Sequence, residues 1–302
     1  REPKGLYAPI AYTMAAGGKR VRPQLAMIAC GIFGGNEQEV APAAMALEVF
    51  HNFTLLHDDV MDKAEVRRGR PTVHIQWNEN TAILSGDQMM IEAYKLLAEV
   101  PESKLHKVLR LFNEMATEIC EGQQYDVDFE SQEHVTIEEY LKMIRLKTSV
   151  LLATALQIGS YLAGANEAQQ EALYQFGINV GLAFQIQDDI LDVWGDPKTF
   201  GKAVGGDISC NKKTYVYLTA QKLADDELAE ELHQWYGSVL DDNTEKIAAV
   251  KGIFEQLNVR AACEAVVEDY TQKALLILDT LPQNAATEQL RQLANKLNTR
   301  KD

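Results

Sequence analysis

Two acidic clusters share one spacing: Asp58, Asp59 and Asp62 in LLHDDVMD, and Asp188, Asp189 and Asp192 in FQIQDDILD. Each closes an apolar run of helical period. On a helix, positions i and i+4 share a face, so Asp58 stacks over Asp62 and Asp188 over Asp192, each pair aiming two carboxylates at one point. Like charges so placed repel unless a hard divalent cation lies between them, and Mg²⁺ binds through one or two carboxylates plus waters and substrate phosphates. With Asp at roughly one residue in twenty, such a triplet arises by chance in about 4% of chains this long and twice in roughly one in a thousand. Solvated acidic helix faces are therefore a poor account of the repetition.

Basic residues stand beside these acids in a chain that is otherwise acidic. Lys plus Arg number 29 against 44 Asp plus Glu, a net charge of -15, which argues against a general polyanion binder and makes any anion site a local one. Gly17-Gly18-Lys19-Arg20-Val21-Arg22-Pro23 presents three cations after a flexible glycine pair. Arg67-Arg68-Gly69-Arg70 follows the first acidic cluster, and Gly201-Lys202 with Asn211-Lys212-Lys213-Thr214 follows the second. A ligand that needs both Mg²⁺ and Arg or Lys donors is a diphosphate. Taken singly each basic stretch would be a solubilising loop, but three of them flank one acidic pair.

The elements that must position these residues read as helices. Ala41 to Leu56, Asn78 to Ala98, Ser103 to Gln124, Ile137 to Ala163, Ala168 to Trp194 and Thr214 to Ala224 carry apolar residues at spacings of three and four, and no Pro falls between Pro101 and Pro197 or between Pro197 and Pro282. Breaks fall at Gly34-Gly35-Asn36, Arg68-Gly69-Arg70-Pro71, Gly164-Ala165-Asn166, Gly195 to Gly206 and Leu281 to Ala285. None is long or polar enough for an inter-domain linker, so one domain over residues 1–302 is expected. At 302 residues, 46% apolar and 24% charged, the chain has the composition of a folded protein that needs no staple. Cys30, Cys120, Cys210 and Cys263 show no Cys-x-x-Cys spacing, which fits free thiols in a cytoplasmic compartment. No apolar stretch approaches the ~20 residues of a membrane span; Val150 to Ala165, interrupted by Thr154, Gln157 and Ser160, reads as a buried helix.

GGKRVRP, HNFTLLHDDVMDKAEVRRGRPTVH, GQQYD at Gly122 to Asp126, LKT at Leu146 to Thr148, GLAFQIQDDILD and GKAVGGDISCNKKT together resemble, in order and across essentially the whole chain, the trans-isoprenyl diphosphate synthases, or polyprenyl synthetases. The resemblance implies an all-α fold, a single-domain bundle of long helices around a deep central cavity, working as a homodimer; bundle cores are a sensible place for a metal site on facing helices. It implies that Asp58, Asp62 and Asp188 are the principal Mg²⁺ ligands, with Asp59, Asp189 and Asp192 in support and three Mg²⁺ bound with the allylic diphosphate. Arg67, Lys147, Lys202 and Lys212 resemble the donors to that diphosphate, Thr148 and Gln185 the residues beside the reacting carbon, and Lys19, Arg22, His51 and Arg68 the isopentenyl diphosphate site. Arg300-Lys301 is read as a solvated tail in preference to a cover over the isopentenyl site.

The reaction so implied is ionisation of the allylic diphosphate, attack by the double bond of isopentenyl diphosphate, and loss of a proton to the released diphosphate, with water excluded by closing loops. In this family product length follows cavity depth beneath the first acidic cluster. Phe53 lies five residues before Asp58, ~7.5 Å down the helix axis, where an aromatic resembles short-chain synthases; Thr54, four before, is not aromatic as in some farnesyl synthases. The expectation is a twenty-carbon product, geranylgeranyl diphosphate, with fifteen-carbon farnesyl or a longer chain as alternatives. A class I terpene cyclase would be expected to lack the second Asp-rich cluster, a silent partner subunit to lose one of the two, and a purely structural dimer gives no reason for the basic positions.

Overall fold

Side-chain caps set where the long helices begin. Asn36 accepts from the Gln38 amide at 3.0 Å and opens α3, Glu37–Met61; Asn78 accepts from the Thr81 amide at 2.8 Å and opens α5, Glu79–Leu97. Thr136 and Glu139 form a reciprocal capping box at the start of α7, Ile137–Ile144. The computed structural model describes residues 1–196, 204–238, 240 and 242–298; Lys202 and the Arg300-Lys301 tail lie outside the described residues. The other helices are α1 Lys4–Met14, α2 Val21–Ile32, α4 Val73–Gln76, α6 Glu102–Ser131, α8 Val150–Leu162 and α9 Glu167–Trp194, then Gly206–Ser209, Tyr215–Leu223, Asp226–Gly237, Thr244–Gln256, Val259–Leu278 and Ala285–Asn298. Among the described residues the only strands are β1 Val66–Arg67 and β2 Arg70–Pro71, an antiparallel pair in which Val66 faces Pro71 and Arg67 faces Arg70. The fold is all-α, as the helical periodicity predicts.

The described residues fall into two compact units. The first comprises Arg1–Asn113 with Thr154–Glu171 and Asn284–Thr287. Here α3 packs chiefly against α5 and α2. Ala26 and Ala29 of α2, Ala43, Ala46, Leu47 and Phe50 of α3, and Ala82, Met89 and Ala93 of α5 are all buried, and small side chains at these positions let the helix axes approach closely. The second comprises Glu114–Ala153, Ala172–Gln283 and the segment from Glu288 onward. In it Tyr215–Leu223 packs on α7 and on Val259–Leu278, burying Val216, Leu218, Val267 and Ala274.

Two departures from the expected elements bear on function. The run from Ile137 to Ala163 is interrupted by a π-helical turn, Arg145–Ser149, closed by the Val150 amide on the Arg145 carbonyl. Such i→i+5 widenings occur frequently at functional sites, and this one holds Lys147 and Thr148. The break at Arg68 to Pro71 is a two-residue hairpin turn in which Arg68 (φ 52°) and Gly69 (φ 72°) both take left-handed conformations, as a type I′ turn requires.

Candidate active site

In the first unit, the C-terminal turns of α3 carry Asp58, Asp59 and Asp62, the last of these capping the helix. Asp59 is buried and bonded by Arg67 Nε at 2.6 Å, whereas Asp58 is half-buried and Asp62 exposed. Burial pushes the Asp59 carboxyl above its ordinary value, and Arg67 opposes that shift. Three acids at a helix C-terminus sit against the negative end of the helix dipole. The hairpin turn is what returns Arg67 to Asp59 and sends Arg68 the other way, where its Nη1 donates to the Gly17 carbonyl at 2.5 Å. A side chain at Gly18 would meet the Arg68 guanidinium at 2.9 Å, so the glycine makes room for it.

His51, two turns before Asp58 on α3, is half-buried and surrounded by Arg22, Arg68, Arg67 and Arg20; desolvation and then these charges hold it well below its usual value, so the ring is neutral at neutral pH. Burial also pushes the Arg22 guanidinium down to about 10, against the pull of Glu48. Arg20 is tied off: it donates to Glu48 Oε1 at 2.6 Å and to the Met14 carbonyl at 2.5 Å, while Asn52 donates to the same Glu48 oxygen at 2.9 Å. Arg22 Nε is buried with no partner among the described residues. Lys19 is exposed on the loop before α2. Four guanidinium groups thus gather around His51, with Glu48 and Asp59 as the acids paired to Arg20 and Arg67. Phe53 is 8% exposed, edge-on to His57 with ring centres 4.8 Å apart, and Thr54 donates to the His51 carbonyl at 2.8 Å.

In the second unit, α9 carries Asp188, half-buried, with Asp189 and Asp192 buried. Asp189 Oδ2 accepts from the Tyr140 hydroxyl at 2.6 Å and the Tyr215 amide at 3.1 Å; its Oδ1 accepts from Gln185 Nε2 at 3.3 Å. Burial and then Asp207 push Asp189 well above the ordinary carboxyl range, with those three donors pulling it back. Asp192 accepts from the Asp207 amide at 3.0 Å. On the π turn, Lys147 Nζ lies 2.5 Å from Asp126, and the Thr148 hydroxyl donates to Gln185 Oε1 at 3.2 Å. Gly122 of α6 lies so close to this turn that a Cβ there would strike the Lys147 amide nitrogen. Lys212 follows Asn211, which is left-handed at φ 56°, and the Lys212 amide is anchored on the Asp207 carbonyl at 2.9 Å.

A family model described as Polyprenyl synthetase matches residues 3–257. The chain belongs to the polyprenyl synthetase family. It is 43% identical over 220 residues to the geranylgeranyl diphosphate synthase of Methanosarcina mazei, covering 72% of this chain and 68% of that one. It is 42% identical over 234 residues to the short chain isoprenyl diphosphate synthase of Methanocaldococcus jannaschii, covering 77% and 71%. Among solved structures, a crystal structure of a geranylgeranyl pyrophosphate synthase matches with a TM-score of 0.95 and 46% identity over 100% of this chain and 93% of that one. The protein is a prenyl transferase.

Within each unit this polyprenyl synthetase brings some of the residues singled out from its sequence together. Arg22, His51, Arg67 and Arg68 share one cluster beside Asp59, and Thr148, Gln185 and Asp189 share one hydrogen-bonded chain. Among the described residues no group of three His, Cys, Asp or Glu side chains forms a ready metal cage. The donor set nevertheless suits Mg²⁺: hard carboxylate oxygens, few in number, at helix ends whose dipoles disfavour negative charge, with the remaining positions left to water and phosphate oxygens. Sequence reasoning missed Asp126, Tyr140, Glu48 and Asn52. Asp126 closes the GQQYD block, whereas no local spacing points to Tyr140. No helix of the described residues is long and apolar enough to cross a membrane.

Proposed function

We propose that this prenyl transferase condenses isopentenyl diphosphate with an allylic diphosphate and that its main product has twenty carbons, residues 1–302 acting as one polyprenyl synthetase domain in a cytoplasmic homodimer. The observation that carries the reading is the cluster of Arg20, Arg22, Arg67 and Arg68 around a neutral His51, on the same helix as the first Asp triplet, in a chain of net charge -15. The product assignment is supported by the names of the relatives and by buried Phe53 one and a half turns below Asp58.

Asp58, Asp62 and Asp188 would hold Mg²⁺, three ions with the allylic diphosphate, with Asp59, Asp189 and Asp192 supporting them. When bound, the metal neutralises charge on the diphosphate and makes it a better leaving group. Arg67, Lys147, Lys202 and Lys212 donate to the allylic diphosphate and stabilise the charge that develops as it departs. Thr148 and Gln185 turn oxygen atoms toward the carbon left positive. Lys19, Arg22, His51 and Arg68 hold isopentenyl diphosphate so that its double bond faces that carbon. Neutral His51 contributes a hydrogen bond without adding a fifth positive charge. The released diphosphate takes the proton, so no side-chain base is needed.

The test is to incubate the purified chain with isopentenyl diphosphate and, separately, dimethylallyl, geranyl and farnesyl diphosphates, with Mg²⁺ or with a chelator, and to size the products by mass spectrometry. A dominant twenty-carbon product that vanishes on chelation is expected. Products of thirty carbons or more would overturn the length assignment alone; no product under any condition would overturn the reaction.

A further inference from the structure

We propose that Tyr140 and Asp189 are positioning residues that hold the amide of Gln185 with its oxygen, and not its nitrogen, toward the reacting carbon. The proposal rests on the synthase reading above and adds a device to it. The two ends of a glutamine amide are alike in shape and opposite in polarity, so only its partners decide which way it faces. Beside Gln185 those partners are unequal. Asp189, one turn along the same face of α9, takes Nε2 on Oδ1 at 3.3 Å, and Thr148 donates its hydroxyl to Oε1 at 3.2 Å. Reversal would set an amide oxygen against a carboxylate oxygen and turn two N–H donors toward the place where positive charge develops.

Asp189 can act as this fixed reference because it is itself held. Its Oδ2 receives the Tyr140 hydroxyl at 2.6 Å and the Tyr215 amide at 3.1 Å, and Tyr140 and Asp189 are only 5% and 3% exposed. Two donors on Oδ2 leave Oδ1 as the acceptor that faces Gln185. Tyr140 thus influences the reacting carbon through two hydrogen bonds, from a position that touches no substrate. The geometry also accounts for the middle Asp of the second triplet: its oxygens are committed within the protein, which suits an anchor better than a metal ligand.

The experiment is a double-mutant cycle on the full chain, measuring kcat and the KM of each diphosphate for Tyr140→Phe, Gln185→Leu and the double variant. Tyr140→Phe removes one hydroxyl and keeps the ring's packing. It is expected to lower kcat about tenfold with both KM values changed by less than about twofold, and to have no further effect once Gln185 is Leu. An equal loss of kcat in both backgrounds would overturn the proposal in favour of a merely structural tyrosine, as would an effect confined to KM or no effect at all. If Gln185→Leu alone leaves kcat unchanged, the proposal falls and the synthase reading stands; if the unaltered chain forms no product, both fall.

Discussion

Replacing Phe53 by Ala tests whether this ring ends the path of a growing prenyl chain, and the packing beneath it sets how far the chain should then advance. Phe53 lies five residues before Asp58, ~7.5 Å along the axis of α3, and Phe50 lies three residues further, another ~4.5 Å. The two ring centres are 5.4 Å apart, and Phe50 is in turn edge-on to Phe112 at 5.1 Å. Phe50 and Phe112 are buried, at 1% and 0% exposed, so a second aromatic layer stands one turn below the first. An isoprene unit adds four main-chain carbons, about 5 Å when extended. The space opened between the layers therefore accommodates one further unit: Phe53→Ala should shift the main product from twenty to twenty-five carbons and no further, and Phe50→Ala in addition should extend it again. Losing a buried ring also costs stability, about 3–5 kcal/mol, which a denaturation curve will show. Mass spectrometry of the products decides the matter. An unchanged product length would mean that Phe53 only packs, and a jump to thirty carbons or more from the single variant would mean that Phe50 and Phe112 form no second stop.

Two further outcomes follow from close contacts and from burial. Gly122→Ala places a methyl group against the Lys147 amide and 2.9 Å from the Leu146 Cβ; about 1–3 kcal/mol of stability should be lost, with a fall in kcat as the π turn shifts, and an unchanged melting temperature and rate would show that the turn tolerates displacement. His51 is held well below its usual 6.5 by burial and by Arg22, Arg68, Arg67 and Arg20. Below about 6.5 the unfolded chain therefore gains a proton that the folded chain refuses, and stability declines as the pH falls toward the folded value. Urea denaturation at about pH 7.5 and about pH 5.5 should show a smaller loss for His51→Gln than for the parent; equal losses would remove His51 as a source of acid sensitivity.

What could be read from the chain alone depended on sequence distance. The Asp triplets, the Gly-Gly-Lys-Arg segment and the hairpin arginines declare themselves because residues within one turn or one loop must stay together. The long helices declare themselves through periodicity, though α3 begins four residues before the expected Ala41 because Asn36 caps it, and α6 runs on to Ser131 through a polar stretch that shows no apolar stripe. The π turn left no mark, since widening five residues leaves the apolar spacing on either side unchanged. The anchors of the site were equally hidden. Tyr140 reaches Asp189 across 49 residues, Lys147 reaches Asp126 across 21 and Arg20 reaches Glu48 across 28, and no local spacing reports such pairs. Helices α1 and α2 and those after Asp226 lie outside the expected runs.

The two Asp triplets share a spacing but are used unequally, and the difference lies in what the helix end packs against. On α3 the middle acid, Asp59, is buried and binds Arg67, while half-buried Asp58 and exposed Asp62 lie on the i, i+4 face. On α9 Asp189 is buried against Tyr140, Tyr215 and Gln185 and Asp192 is buried and meets the Asp207 amide, whereas Asp188 is half-buried. A buried carboxylate is retained at low cost only where donors meet it, and each committed acid fixes something that its neighbours need: Asp59 fixes the hairpin arginine, Asp189 the Gln185 amide, Asp192 the start of the loop that carries Lys212. On the proposed reading, identical spacing thus encodes two tasks at each site, one carboxylate for the cation and another turned inward to hold neighbouring groups. Conservative Asp→Asn changes should separate them, with Asp58 and Asp188 variants rescued by raised Mg²⁺ and Asp59 and Asp189 variants not. Rescue of all four alike would refute the division.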